Sequence, residues 1–334
     1  MSSMKKILNL ILVLLLVIVS DGCSCKKEED STVDFYVPDG APALAIAKLM
    51  QDEYTKDGYK VNYHIVNSST INTYVANGSA DIAILPTNAA ANLYNKGNDI
   101  KLISSNTWGM LYMVSSEENA QPITDLNTLK GTVICLIGQN QVPDLVFKYI
   151  LNSNNIEYIE SDIVVEEKVA LKYVTDGSSM LPLLKNKQLK YGILAEPAVT
   201  NSINKATTSI VLDLQKEWQI ATNSINSYPQ ASLVAKTSFL EKNNKFIEDL
   251  LNEMHDSSSW ILENVDKLEK ILRDHGSISN NSYTKEIIER CNIKLVTGSE
   301  MKTAAYSFLK SLYDVIPNSI GNKLPDENFY YSFN

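Results

Sequence analysis

The sequence predicts an α/β protein of two lobes joined by two crossing strands, with a run of helices at the C-terminal end. Three observations predict it. From residue 33 to about 240, short apolar runs alternate with helical stretches, the pattern of a largely parallel sheet covered by helices. The alternation falls into two sets, the second opening near residue 131, with a crossing near 104–112 and a return near 228–236. Beyond residue 240 the chain turns strongly helical.

The elements follow in order. Val33-Asp34-Phe35-Tyr36-Val37 reads as a strand, broken by Pro38-Asp39-Gly40-Ala41-Pro42. Residues 43–52 carry apolar positions at Ala43, Leu44, Ile46, Ala47 and Met50 and read as one helix. Residues 63–66 form the next strand, Asn67-Ser68-Ser69-Thr70 its polar turn, and a helix follows to about residue 77. Asp81-Ile82-Ala83-Ile84-Leu85 is a third strand, ended by Pro86-Thr87-Asn88 and an alanine-rich helix start. Residues 100–104 and 111–115 flank Trp108-Gly109.

In the second set, residues 131–137 form a strand and Gly138-Gln139-Asn140-Gln141 its turn. Pro143 sits at the start of the next helix, where its missing N–H costs nothing, and that helix runs to about residue 152. Residues 163–165 and 169–174 are strand-like, and 180–185 a short helix. Residues 191–194 form a strand ended by Ala195-Glu196-Pro197, and 232–236 a returning strand. Helices are expected over 246–263, 267–275, 283–291 and 300–315. The first lobe is therefore discontinuous, residues 33–108 plus 232–334, and the second spans 109–231.

The composition excludes several classes. Hydrophobic residues make up 44% and charged residues 21%, a globular balance rather than a disordered one. A net charge of −9 without a basic stripe argues against nucleic acid as a partner. Cys135 and Cys291 stand far apart, with no CxxC spacing or His cluster, so neither a metal site nor redox chemistry is expected.

The N-terminus has the layout of an export leader. Lys5 and Lys6 precede an apolar run over residues 7–19, too short for a comfortable membrane span. Ser20-Asp21-Gly22-Cys23 then resembles the lipobox of bacterial lipoproteins, with Ser20 where those proteins usually carry Leu. That resemblance implies a leader over 1–22, a lipid on Cys23 (Cys25 being a second acceptor) and a charged tether over 23–32.

Ligands of open parallel sheets bind off the carboxyl ends of the strands, where helix N-termini offer free N–H groups. Five loops meet that description: Asp39-Gly40-Ala41, Asn67-Ser68-Ser69, Thr87-Asn88, Gly138-Gln139-Asn140 and the loop at Glu196. Taken singly, each Ser, Thr or Asn there also suits a helix cap. Trp108 in the crossing and Tyr228 at the return border the expected cleft, suited either to gripping a planar ligand or to packing the hinge. The two arginines, Arg273 and Arg290, fall in the C-terminal helical region, so no bidentate anion clamp is expected at these loops.

Four motifs in this order carry a family resemblance: Pro38-Asp39-Gly40-Ala41-Pro42, Gly78-Ser79-Ala80-Asp81-Ile82-Ala83, Asp125-Leu126 with Leu129-Lys130-Gly131, and Gly192-Ile193-Leu194-Ala195-Glu196-Pro197. Over residues 36–242 the chain is similar to the nitrate/sulfonate/taurine class of ABC-transporter substrate-binding proteins, a class close in fold to the thiamine-pyrimidine precursor binders. The resemblance implies a periplasmic-binding-protein clamshell, type II-like, with two hinge strands. It further implies a small-molecule ligand, ABC permease and ATPase subunits as partners, a monomer, and a lipid-anchored place on the extracytoplasmic face of the cell membrane. It implies neither a cofactor nor catalysis, and no Gly-x-Ser-x-Gly, Walker A or His-Glu-x-x-His motif is present. Two other readings stay open: a surface lipoprotein that binds a protein or cell-wall partner, and a fold-related pyrimidine-synthesis enzyme, whose cysteine-rich run is not found here.

Overall fold

The computed structural model describes residues 31–332 apart from 54, 57, 280 and 281; the leader, Cys23 and the tether up to residue 30 lie outside the described residues. The chain opens with β1 (Ser31–Pro38), two short helices α1 (Ala41–Leu44) and α2 (Ala47–Gln51), and the hairpin β2 (Thr55–Lys56) and β3 (Tyr59–Val66). It continues through α3 (Ile71–Ala76), β4 (Ile82–Pro86), α4 (Thr87–Asn95) and β5 (Ile100–Trp108). The second set is β6 (Leu111–Ser115), β7 (Thr132–Ile137), α5 (Val142–Ser153), β8 (Tyr158–Glu160), β9 (Val169–Val174) and α6 (Gly177–Lys185). It ends with β10 (Tyr191–Ala195), α7 (Ala198–Ala206), β11 (Ser209–Asp213) and α8 (Leu214–Thr222). The return brings β12 (Pro229–Lys236), α9 (Thr237–Leu240), α10 (Asn244–Glu263), α11 (Val265–Asp274), α12 (Lys285–Arg290), β13 (Ile293–Thr297) and α13 (Gly298–Val315).

These strands build two mixed sheets, giving the two-lobed α/β architecture that the alternation predicts. The first has the order β13-β5-β12-β4-β1-β3-β2 and the second β11-β6-β10-β7-β9-β8. In the first, β1, β3 and β4 run parallel and β12 inserts antiparallel between β4 and β5. In the second, β7, β8, β9 and β10 run parallel, β6 opposes them, and β11 pairs antiparallel with β6 at the edge.

Strand alternation sorts the apolar side chains between helical layers. On one face of the first sheet Val33, Phe35, Val37, Ile82 and Ile84 pack against α1, α2 and α10 through Leu44, Met50 and Phe246. On the other, Ala83 and Leu85 join a core that runs on to the second sheet at Ile134 and Leu136 and to α5 at Phe147. A third, smaller core lies under α6 and α7, around Cys135, Met180 and Leu194.

The chain crosses between sheets at Gly109-Met110 and returns over 223–228, and the two crossings are tied together. Gly109 N–H donates to the Tyr228 carbonyl at 2.9 Å, and Met110 N–H to Gln230 Oε1 at 3.3 Å. Only glycine fits at 109: a Cβ there would lie 2.4 Å from Ser227 Oγ and 2.8 Å from the Tyr228 ring.

Some elements differ from expectation. The single helix expected over 43–52 is broken at Ala45-Ile46, where Ile46 N–H turns to the Ala43 carbonyl and both residues are buried, so the chain bends to fill the core from two directions. Residues 163–165 form no strand. Ser161 Oγ accepts from Ile163 N–H and donates to its carbonyl, closing a turn that leaves Ile163 and Val164 exposed, while Tyr158–Glu160 takes the edge instead.

Candidate functional site

The five loops singled out from the sequence sit at the carboxyl ends of β1, β3, β4, β7 and β10, and they face one another across the sheets. Gly40 stands opposite Pro197, whose Cδ lies 3.9 Å from where a Gly40 Cβ would be. Asn88 Nδ2 reaches the Asn140 carbonyl at 3.5 Å, a long contact at the edge of hydrogen-bond range. Ser68 and Ser69 from the first sheet close a cavity of about 360 Å³ with Gly138, Gln139, Tyr173 and Thr175 from the second. A larger recess of about 480 Å³ at Asn152, Asn155 and Glu157 lies at the C-terminal end of α5, away from the facing loops, so volume alone does not pick the site.

Local chemistry shapes each loop. Asn67 Oδ1 accepts from Ser69 N–H at 2.9 Å and from Ser69 Oγ at 2.8 Å, an Asx turn that sets both serines at the cavity wall. Thr87 Oγ1 pairs with Ser232 Oγ at 2.8 Å beneath α4, and Asn88, nearly buried, leaves its Oδ1 without a partner among the described residues. Gly138 and Asn140 both take left-handed backbone, with φ of 68° and 60°. Neither α4 nor α5 has a side-chain cap at its N-terminus, and the two helices start from loops that meet across the sheets. Asp39 is differently engaged. Its carboxylate accepts from Ser277 Oγ and Ser279 Oγ, both at 2.8 Å, and pins the 275–279 turn beside the first sheet.

Two expected ligand contacts are packing residues instead. Tyr228 is 1% exposed, stacked on Phe308 and edge-on to Trp218, with its hydroxyl donating to Gln215 Oε1 at 3.1 Å. That leaves no face for a ligand. Trp108 is 7% exposed, and its indole N–H donates to the Lys294 carbonyl at 2.9 Å. Glu196 is also enclosed: its carboxylate accepts from Thr200 Oγ1 at 3.1 Å and from Arg290 Nε at 2.6 Å.

That last contact overturns the expectation that both arginines stand away from the loops. Arg290 ends α12, and the pairing of β13 with β5 carries it to Glu196, where its Nη2 also donates to Thr200 Oγ1 at 2.7 Å. The short run at residues 293–297 was the available signal, since a strand there would turn the preceding helix toward the crossing. Charge and burial tune the surroundings: Tyr112 is pushed up to about 12 by burial and then by Asp213 and Glu196. Among the described residues no group of three His, Cys, Asp or Glu gathers to hold a metal ion.

The profile of the NMT1/THI5-like family matches residues 52–267. Among solved structures, an ABC transporter protein from Parabacteroides distasonis superposes with a TM-score of 0.73 at 25% identity, over 91% of this chain and 99% of that one. The periplasmic aliphatic sulphonate binding protein SsuA from Escherichia coli gives 0.67 at 12% identity, over 90% and 92% of the two chains. A sulfonate ABC transporter protein, SsuA, from Methylobacillus flagellatus gives 0.61 at 15% identity, over 91% and 92%. No curated protein matches the chain in sequence. These likenesses bear out the resemblance carried by the four motifs.

Proposed function

Because the chain belongs to the NMT1/THI5-like family, we propose that it is the solute-binding component of an ABC importer, capturing a small organic nutrient between two lobes. The lobes are residues 33–108 with 232–334, and 109–231. The observation that carries the reading is the pairing of loops across the interlobe space, with the uncapped N-termini of α4 and α5 on opposite sides. A closing pair of lobes exchanges a ligand's hydration for fixed donors, which favours the closed state by the difference in contacts.

The ligand has a compact polar head, neutral or singly anionic, held by backbone N–H groups, hydroxyls and amides. The one arginine near the cleft is already engaged by Glu196, which argues against a dicarboxylate or phosphate clamp. Sulfonates fit this description, in line with the sulfonate-binding proteins that share the fold, and so do small heterocycles. The protein delivers its ligand as a monomer to permease and ATPase subunits, tethered by a lipid on Cys23 at the extracytoplasmic face of the cell membrane.

The test has two arms. A thermal-shift screen over alkanesulfonates, taurine, pyrimidines and dicarboxylates should give hits in the first three classes. A ligand at 100 times its dissociation constant adds about 2.7 kcal/mol of stability. Hits confined to dicarboxylates, or to phosphorylated compounds added to the same panel, would sink the ligand class. In cells, a fatty-acid analogue should label the wild-type protein and not Cys23→Ala; equal labelling of both would remove the Cys23 anchor.

A further inference from the structure

Asp144 is fully buried in the first turn of α5, immediately behind the loop at 138–141 that walls the cavity. Three donors converge on it. Asn140 N–H reaches Oδ2 at 2.8 Å, Lys148 Nζ reaches the same oxygen at 3.0 Å, and the Tyr173 hydroxyl reaches Oδ1 at 2.9 Å. Lys148 is itself 4% exposed, bonds Glu160 Oε1 at 3.3 Å, and lies 5.6 Å from the Tyr173 ring centroid.

A buried ion pair is a poor source of stability, since apolar residues of similar size often serve as well or better. The role of Asp144 therefore lies in what it holds. Its partner N–H belongs to a residue in left-handed backbone, two positions after Gly138, where a Cβ would come 2.5 Å from Gln141 Cγ. Its other oxygen holds Tyr173, which lines the cavity from a different strand. Burial and the Asp144 charge together push the Tyr173 phenol well above its ordinary range, so it stays a donor. One carboxylate thus locks two cavity walls that are separate in sequence.

We propose that Asp144 is a positioning residue for ligand capture, holding the 138–141 loop and the Tyr173 ring in their receptive arrangement. The proposal rests on the ligand-binding reading above. It deepens that reading by assigning a buried charge, rather than a surface contact, to the tuning of affinity.

Two double variants isolate the role. Asp144→Asn with Lys148→Met keeps an acceptor for the Asn140 N–H; Asp144→Leu with Lys148→Met removes it. Both abolish the charge pair, so neither leaves an unpaired buried lysine. Three quantities are measured: the thermal midpoint, ligand-free hydrogen exchange over residues 138–141, and the calorimetric affinity for ethanesulfonate. The two variants should melt within a few degrees of each other. The Leu variant should exchange about tenfold faster in the loop and bind about tenfold more weakly, while the Asn variant stays within about twofold of wild type. Equal loop exchange in the two variants at similar midpoints overturns the proposal. Wild-type protein that takes up no ethanesulfonate counts against the sulfonate reading alone, because the exchange comparison is made without ligand and still decides the role of Asp144.

Discussion

Cys135 and Cys291 are free, buried thiols in two different cores. Burial pushes Cys135 from its ordinary 9.0 up to about 11, with Lys172 offsetting only part of the rise. Burial, reinforced by the charge of Glu196, carries Cys291 further in the same direction. The thiolate is the reactive form, so neither sulfur should react with an aromatic disulfide reagent at pH 8 while the protein is folded. With Cys23 and Cys25 changed to Ser, thiol titration should find neither cysteine in the native protein and both in denaturant; rapid native labelling would contradict this burial. The unfolded thiol ionises above about 9 while folded Cys135 keeps its proton to about 11. The folded state then binds more protons, and stability should fall as pH rises through that window. Neither cysteine has metal-ligand spacing in the sequence, but their burial comes from packing: Cys135 under α6 and α7 and Cys291 beside the first sheet.

At the scale of elements, the aromatic seam joins the two sheets on one flank. Tyr149 of α5, Trp218 of α8, Tyr228 at the entry to β12 and Phe308 of α13 pack in a chain, with successive ring centroids 4.7, 5.1 and 5.5 Å apart. Gln215 completes it, accepting from both Leu111 N–H and the Tyr228 hydroxyl and donating to the Leu111 carbonyl. Tyr228→Ala should cost about 3–5 kcal/mol in denaturant unfolding, as large aromatic truncations in cores do. Tyr228→Phe should cost about 0.5–1.5 kcal/mol for the lost hydrogen bond and leave ligand affinity unchanged. Should Tyr228→Phe weaken binding several-fold at unaltered stability, the ring would be a ligand contact after all. The sequence located Tyr228 at the return crossing but left its role open, because an aromatic beside a cleft and one beneath it have the same local pattern.

Across the whole molecule, a polar bridge also ties the second sheet to the C-terminal helices. Glu196, with its side chain wholly enclosed, links the loop after β10 to Arg290 at the end of α12, while Glu196 N–H holds the Met110 carbonyl in the crossing. Arg290→Met removes one partner and strands the carboxylate, which should destabilise the fold by about 3 kcal/mol. Pairing it with Glu196→Gln in a double-mutant cycle should reveal a coupling of about 1–3 kcal/mol. Additive losses would mean that the two residues stabilise the fold independently.

The central strands, their order in two sets and the five loops at their carboxyl ends follow from local pattern, whereas the strands β2, β8, β11 and β13 do not. Val, Ile and Leu runs make buried parallel strands, and Gly, Pro, Asn and Ser must end them. Such signals act over a few residues, so they survive in any sequence that folds this way. Pairings between distant segments left no such trace. Strand β13 joins β5 across nearly 190 residues of chain, the same separation that sets the Lys294 carbonyl on Trp108, and Arg290 meets Glu196 across 94. Likewise, nothing local tells Asp144 that Tyr173 will lie against it. A period of two or 3.6 residues says which face of an element is apolar. Which neighbour that face meets, and which polar atoms end up enclosed with it, is set by the packing of the completed fold.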